Sequence, residues 1–232
     1  MSILSLLGGK STAALLRAQK FGKTKEQKKV IDFFANGGKA LGGCLSNDLD
    51  MEDYLELVNA KANSIDFKAR AMEKIGIDVE QISEIAPICL TNFRFDSDCY
   101  YVIGKIKNDE NIYAVSNQYS VTWLVFSATQ MYVYTYIFDM MSNNIWEVVR
   151  EFFYTDITCF RTIHKVVERI ESKFNGCSGC LQPQALHTDY DVDTLCITVP
   201  GEDYSISIKN SSDCMNSIYG ARAFIREKKY QK

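Results

Sequence analysis

The hydrophobic period of the chain changes twice. Up to residue 86, apolar side chains recur about every 3.6 positions; from Pro87 to about residue 208 they alternate; beyond that the helical spacing returns. In the first segment, residues 11–20 are rich in Ala, Leu, Arg and Gln, all strong helix formers. Thr24-Lys25-Glu26-Gln27 has the form of a capping box, in which Thr24 and Gln27 satisfy each other's backbone N–H groups. The helix it starts buries Val30, Phe33 and Phe34 and stops at Gly37-Gly38. Asp50 is placed to cap a helix carrying Tyr54, Leu55, Leu57 and Val58. Asp66 is placed to cap another carrying Ala69, Met72 and Ile75, with Gly76 as its stop. A short turn holding Val79 and Ile82 precedes Pro87, whose ring disfavours helix at the residue before it.

The middle segment predicts eight strands, over residues 99–107, 112–117, 120–127, 131–138, 145–154, 157–167, 187–199 and 204–208. Asn108-Asp109-Glu110-Asn111, Ala128-Thr129-Gln130 and Ser142-Asn143-Asn144 read as turns, and Pro200-Gly201 suits the centre of a type II turn. Residues 172–184, containing Gly, Cys and Pro, read as a loop. Within 131–138 the alternation sets Tyr132, Tyr134 and Tyr136 on one face and Met131, Val133 and Ile137 on the other. Ser211 or Ser212 then caps a last helix with the seam Cys214, Ile218, Ala221 and Ile225. The order predicts an α+β protein: a helical region at 1–86, then at 87–232 a strongly bent antiparallel sheet or barrel whose open end the final helix closes.

Composition changes this picture only through charge. The 232 residues are 47% hydrophobic, enough for a packed core, and the net charge is −3. Residues 1–40 carry eight basic side chains against two acidic ones, leaving −9 for the remainder. Lys20, Lys23, Lys25, Lys28 and Lys29 are therefore either a solvated helix face or a contact surface for a membrane or a partner. The apolar Ile3, Leu4, Leu6 and Leu7 lack the basic flank of a secretory signal. Apolar runs stay below the ~18 residues that span a bilayer. The richest, residues 120–141, is broken by Ser127, Thr129, Gln130, Thr135 and Asp139. A cytoplasmic protein with reduced thiols is expected, since eight cysteines in a chain of this size do not imply a disulfide framework.

Candidate chemistry is sparse. Gly8-Gly9-Lys10-Ser11 matches the end of a phosphate-binding loop, but Leu4 stands where the motif needs Gly. Cys177-Ser178-Gly179-Cys180 could supply two zinc ligands, with His187, Cys196 or His164 completing the set, or a redox pair. His164 and His187, the latter near Asp189 and Asp191, would each need a nucleophile alongside to be catalytic. The tyrosine row could stack nucleic-acid bases only with interleaved cations, which this strand lacks, so packing against a neighbouring strand or the N-terminal helices is expected. Arg222, Arg226, Lys228, Lys229 and Lys232 complement the dipole of the last helix. The residues predict no catalytic group, no cofactor and no nucleic-acid partner.

Three stretches carry a resemblance to a known family. They are Val125-Phe126-Ser127-Ala128-Thr129-Gln130-Met131-Tyr132-Val133-Tyr134, then Phe153-Tyr154-Thr155-Asp156-Ile157-Thr158, then the hairpin Leu195-Cys196-Ile197-Thr198-Val199-Pro200-Gly201 with Tyr204-Ser205-Ile206-Ser207-Ile208, followed by the closing helix. In order and spacing, over residues 98–228, this resembles the pleckstrin-homology-like (PH-like) superfold, in particular its bacterial PH-like and GRAM-like domains. The resemblance implies a module that binds peptides or other domains. Its phosphoinositide pattern is not carried over: the hairpin read as the first strand pair has Lys105 and Lys107, but its turn holds Asp109 and Glu110. The expected function is a non-catalytic binding or scaffolding module with a protein partner. The alternatives are a peripheral membrane protein that inserts its apolar Ile3, Leu4, Leu6 and Leu7 segment and its basic arm at an anionic surface, and a zinc-stabilised or thiol-redox protein acting through Cys177 and Cys180.

Overall fold

The computed structural model describes the backbone of residues 9–38, 48–77, 85–107, 109–175 and 182–230, and their side chains except at 9–12, 168–175 and 182–188. The N-terminal helices start and stop where short-range chemistry places them. They are α1 (Gly9–Ala18), α2 (Lys25–Ala35), α3 (Met51–Asn63) and α4 (Phe67–Ile75). Thr24 Oγ1 accepts from the Gln27 N–H at 3.2 Å while Gln27 Oε1 accepts from the Thr24 N–H at 3.1 Å. Asp50 and Asp53 make the same reciprocal pair at the start of α3. Asp66 caps α4 and Gly76 ends it in the left-handed conformation, φ 72°. Gly38, at φ 79°, cannot be replaced without movement, because a Cβ there would lie 2.4 Å from Val102 Cγ1. The short turn expected around Val79 and Ile82 lies outside the described residues.

The strands are β1 (Ile88–Phe93), β2 (Tyr101–Lys105), β3 (Ile112–Ser116), β4 (Gln118–Phe126), β5 (Gln130–Asp139), β6 (Ile145–Phe153), β7 (Cys159–Asn175), β8 (Gln182–Val199) and β9 (Glu202–Ile208), followed by α5 (Ser212–Tyr230). Among the described residues all pairings are antiparallel, in three sheets of order β1-β4-β5-β6, β2-β3 and β7-β8-β9. The architecture is α+β, with a helix at its C-terminal end; the described strands form open sheets and not a closed barrel.

Three expectations are corrected. Residues 88–93, assigned to no strand from the sequence, form β1, whose partner is distant in the chain, with Leu90 opposite Thr122. Local alternation cannot reveal such a pairing, and Thr91-Asn92 breaks the pattern. The hairpin at 99–117, taken as the first strand pair of the main sheet, is a separate two-stranded sheet inserted between β1 and β4. The acidic turn at Asp109 and Glu110 therefore sits on the insertion, not on the main sheet. Finally, the β7–β8 ladder runs on to Asn175 opposite Gln182, through most of the segment read as a loop. Pairing to a neighbouring strand overrides the break signalled by Pro183.

The main sheet is covered on both faces. On one face Tyr134, Tyr136 and Phe138 of β5 pack with Phe93, Val102 and Val115 against Val30, Phe33, Phe34, Tyr54 and Val58 of the helices. The tyrosine row thus packs on the helices: the Phe67 and Tyr136 rings meet at 5.3 Å, although Tyr132 at its end stays only half-buried. On the other face Leu124, Phe126, Met131, Val133 and Phe152 meet Leu195, Ile197, Ile206 and Ile208 of the second sheet and Ile218, Ala221, Phe224 and Ile225 of α5. Ser211 caps that helix through the Cys214 N–H. Where β1 and β9 come side by side, the Asn92 side chain donates to the Ile208 carbonyl at 2.6 Å and so ties the two sheets.

Polar contacts lock the helices onto the sheet. Asp139 is buried at the end of β5. Its carboxylate accepts from Asn117 Nδ2 at 3.0 Å, the Met141 N–H at 2.8 Å and Ser142 Oγ at 2.8 Å. These bonds shape the turns that the helices grip: Tyr54 Oη donates to the Ser116 carbonyl at 2.6 Å, Lys61 Nζ to the Asp139 carbonyl at 3.1 Å, and Gln27 Nε2 to Asn143 Oδ1 at 2.8 Å. On α4, Arg70 forks onto Glu147 of β6 at 2.5 and 3.1 Å, and Tyr134 Oη donates to the same carboxylate at 2.6 Å. The hydrogen bond from Arg70 holds the Glu147 carboxyl down at about 2, against an ordinary 4.5.

Replacing Asp139 by Ala strands three donors, and is expected to cost about 2–4 kcal/mol in urea unfolding. Glu147, depressed in the folded state, contributes stability that is complete above about pH 4.5 and lost as pH falls through about 2. A Glu147→Gln variant is therefore expected to show a shallower fall in stability across that window when both proteins are followed by circular dichroism.

Candidate functional site

The inner face between the two large sheets divides into halves of different chemistry. Near α5 it is apolar, and Phe126 and Tyr154 pack edge-on against Phe224. At the other end the inward positions of β4 and β5 become Ser120, Thr122 and Thr135, all buried. Thr122 and Thr135 stand opposite each other in the ladder and share a hydrogen bond of 3.0 Å between their hydroxyls. Thr135 is in turn 2.7 Å from the hydroxyl of Tyr204 on β9. These groups floor a cleft of about 190 Å³ that α5 does not reach, lined also by Arg94, Asp96, Arg150, Lys165, Thr194, Ser205 and Ser207.

Charge in the cleft is mainly positive. Arg94, just past β1, bonds Gln118 Oε1 at 3.0 Å and pairs with Asp96. Arg150, from β6, pairs with Glu202 and stacks over the Tyr204 ring, 4.9 Å from its centroid. The buried Nε–H of Arg150 has no hydrogen-bond acceptor. Burial raises the pKa of the Tyr204 hydroxyl, while the bond to Thr135 and the nearby Arg150 and Arg94 cations pull it back.

Three surface features lie outside the cleft. The first is β6, an end strand of the main sheet that leaves Ile145, Trp146, Val149 and Phe153 exposed. A shallower depression of about 540 Å³ runs beside it, bounded by Val149, Phe152, Phe153, Val199 and Pro200 and by the charged Arg150, Glu151, Asp156 and Glu202. The second is the α1–α2 turn, where Phe21 is 97% exposed. The third is His164 on β7, whose Nδ1 lies 2.9 Å from Asp193 and whose Nε2 lies 3.2 Å from Asp191.

The residues singled out from the sequence do not converge. Cys177 and Cys180 lie outside the described residues; His187 is placed in β8 by its backbone, with its side chain also outside them. Among the lysines of the basic arm, Lys20 pairs with Asp32 at 2.5 Å, Lys25 and Lys28 are exposed, and Lys23 and Lys29 are half-buried. Gly9, Lys10 and Ser11 lie in the first turn of α1. Cys89, Cys99, Cys159, Cys196 and Cys214 are free thiols. Burial pushes Cys89 up to about 11 and Cys99 up to about 12, which keeps both protonated near neutrality. The cleft residues were missed in the sequence. The signal that would have found them is the pair Thr122 and Thr135, hydroxyls at positions where alternation calls for apolar side chains.

The hydrogen bond to Asp193, reinforced by Asp191, raises the His164 pKa above its ordinary 6.5. The contact therefore contributes stability that is complete below about pH 6.5 and lost as pH rises through the folded-state value. An NMR titration is expected to give a midpoint above 6.5 for the wild type, falling in Asp193→Asn.

Comparison with family models, with curated proteins and with solved structures finds no match to this chain, so the geometry above is the basis on which its function rests.

Proposed function

We propose that the chain is a non-catalytic binding module of PH-like kind, and that its partner is a protein contributing an extended segment to the free edge of β6. The frame reading is supported by the antiparallel strands in chain order, the β8–β9 hairpin and the terminal helix seated on the inner face. The inserted β2–β3 hairpin is a departure from the pattern on which the resemblance rests.

The observation that carries the partner reading is β6 itself. An edge strand presents unpaired backbone donors and acceptors, and proteins ordinarily blunt such edges with charge, proline or a covering element. This edge carries charge at Glu147, Arg150 and Glu151, yet it also exposes Ile145, Trp146, Val149 and Phe153. A strand added to it would gain main-chain hydrogen bonds, and the adjoining depression would receive alternate side chains. The matching partner segment is extended and rich in β-branched and aromatic residues. Panning a random peptide library on the immobilised protein is expected to enrich peptides with alternating apolar positions. That enrichment is expected to disappear on Val149→Asp/Phe153→Asp. No enrichment on the wild type, or equal enrichment on the variant, removes the reading.

A second reading, peripheral attachment to an anionic membrane, has a specific observation in its favour. Phe21 projects from the α1–α2 turn between Lys20 and Lys23, with Gly22 left-handed at φ 73° and Lys25 and Lys28 exposed on the adjoining helix. An exposed aromatic ring on a lysine-rich turn suits a headgroup interface. Co-sedimentation with phosphatidylserine vesicles is expected to weaken sharply in Phe21→Ser; unchanged binding by that variant discards this route. Among the described residues no helix is long and apolar enough to cross a membrane. The zinc or thiol-redox reading of Cys177 and Cys180 gains no support, since neither residue is described.

A further inference from the structure

We propose that the cleft between the two large sheets is a binding site for a small phosphate-type oxyanion, gripped by Arg94, Arg150 and Lys165 and seated on the hydroxyls of Thr122, Thr135 and Tyr204. The site shares Arg150 with the depression beside β6 but none of the exposed apolar residues of that edge, so loss of phosphate binding in Arg94→Met would leave the partner reading standing.

The first argument is composition. A β-sandwich interior is ordinarily filled with apolar side chains, yet this half holds a chain of hydroxyls running from Thr122 through Thr135 to Tyr204. Hydroxyls can donate to a ligand oxygen or accept from a ligand hydroxyl, so they suit a polar guest without fixing its orientation. The second argument is charge. Among the described residues three cations line the cleft against one carboxylate, Asp96. The two guanidiniums have their carboxylate partners at the rim: the side chains of Asp96 and Glu202 are 55% and 41% exposed. Such surface pairs are weak, and either acid can turn to solvent and leave the arginine to an entering anion. The planar guanidinium then offers two parallel N–H groups to two oxygens of the same phosphate.

The third argument is an orphan donor. Arg150 Nε–H is buried without an acceptor. A buried donor left unpaired among the described residues is destabilising, and an oxyanion supplies the acceptor. Size sets the class of guest: about 190 Å³ is below the ~300 Å³ at which drug-sized pockets begin. Inorganic phosphate or a short phosphate ester fits this description; a nucleotide does not.

The test uses the full chain. Sodium phosphate is titrated at constant ionic strength against a sodium chloride control, by calorimetry and by backbone amide NMR. Saturable binding at or below about 1 mM is expected, with shifts centred on residues 120–122, 135 and 204. Arg150→Met and Arg94→Met, which keep the side-chain length, are expected to weaken it about tenfold or more each. Asp96→Asn removes a competing charge and is expected to tighten it, a gain that a misfolded variant would not give. Glycerol 3-phosphate and vesicles containing phosphatidic acid distinguish a free ester from a lipid headgroup, and Arg150-dependent binding of either supports the site. Shifts that grow linearly without saturation, or a chloride control that matches phosphate, would overturn the proposal. Retained affinity in both arginine variants, or weaker binding in Asp96→Asn, would do the same.

Discussion

A sheet that must be covered on both faces governs this fold. β4 and β5 are buried at both parities over most of their length, so both sides need a cover. Two separate sets of elements answer that demand. The helices α1–α4 pack on the tyrosine side, and the second sheet with α5 packs on the other. Burying an aromatic side chain contributes about 1.5–3 kcal/mol, so losing either cover would expose far more apolar surface than the net stability of a domain allows. The two covers are also fixed by different means. The outer one is pinned by directed polar bonds at the strand ends, around Asp139 and Glu147. The inner one is mainly side-chain packing, tied at one corner by Asn92.

Much of this was legible in the sequence because the signals are local. The caps at Thr24, Asp50 and Asp66, the stop at Gly76 and the inward and outward faces of 131–138 all depend on neighbours within a few residues. What was not legible depends on distant partners. β1 acquires its strand character from β4, and the β2–β3 hairpin gives no local sign of which sheet it joins. The cleft belongs to the same class. Arg94, Arg150, Lys165 and Tyr204 come from four different parts of the chain, and only the sandwich brings them together. The one trace in the sequence is the pair of threonines at positions that packing would give to valine.

The hydroxyl half of the inner face also bears on how the sandwich is built. Continuing the apolar core to both ends would have given a tighter interior, since a hydrogen-bonded hydroxyl adds little net stability over a well-packed methyl. Thr122 and Thr135 are satisfied by each other, and the second bond to Tyr204 spans the two sheets. That bond fixes the separation of the sheets at the end where no helix fills the gap. Arg150, stacked on the same tyrosine, lies across the opening.

The position of α5 has a consequence for the growing chain. The inner core is assembled from β1, β4, β5, β6, β8 and β9, but its seal is made by Ile218, Ala221, Phe224 and Ile225, among the last described residues. During synthesis, at roughly 5–20 residues per second, Leu124, Phe126 and Met131 therefore exist for several seconds as strand residues covered on the helical side alone. A nascent chain in that interval presents a half-dressed sheet to chaperones and proteases. A message truncated just before Ser212 would still supply the second sheet, but would leave the part of that core under Ile218, Ala221, Phe224 and Ile225 open for good.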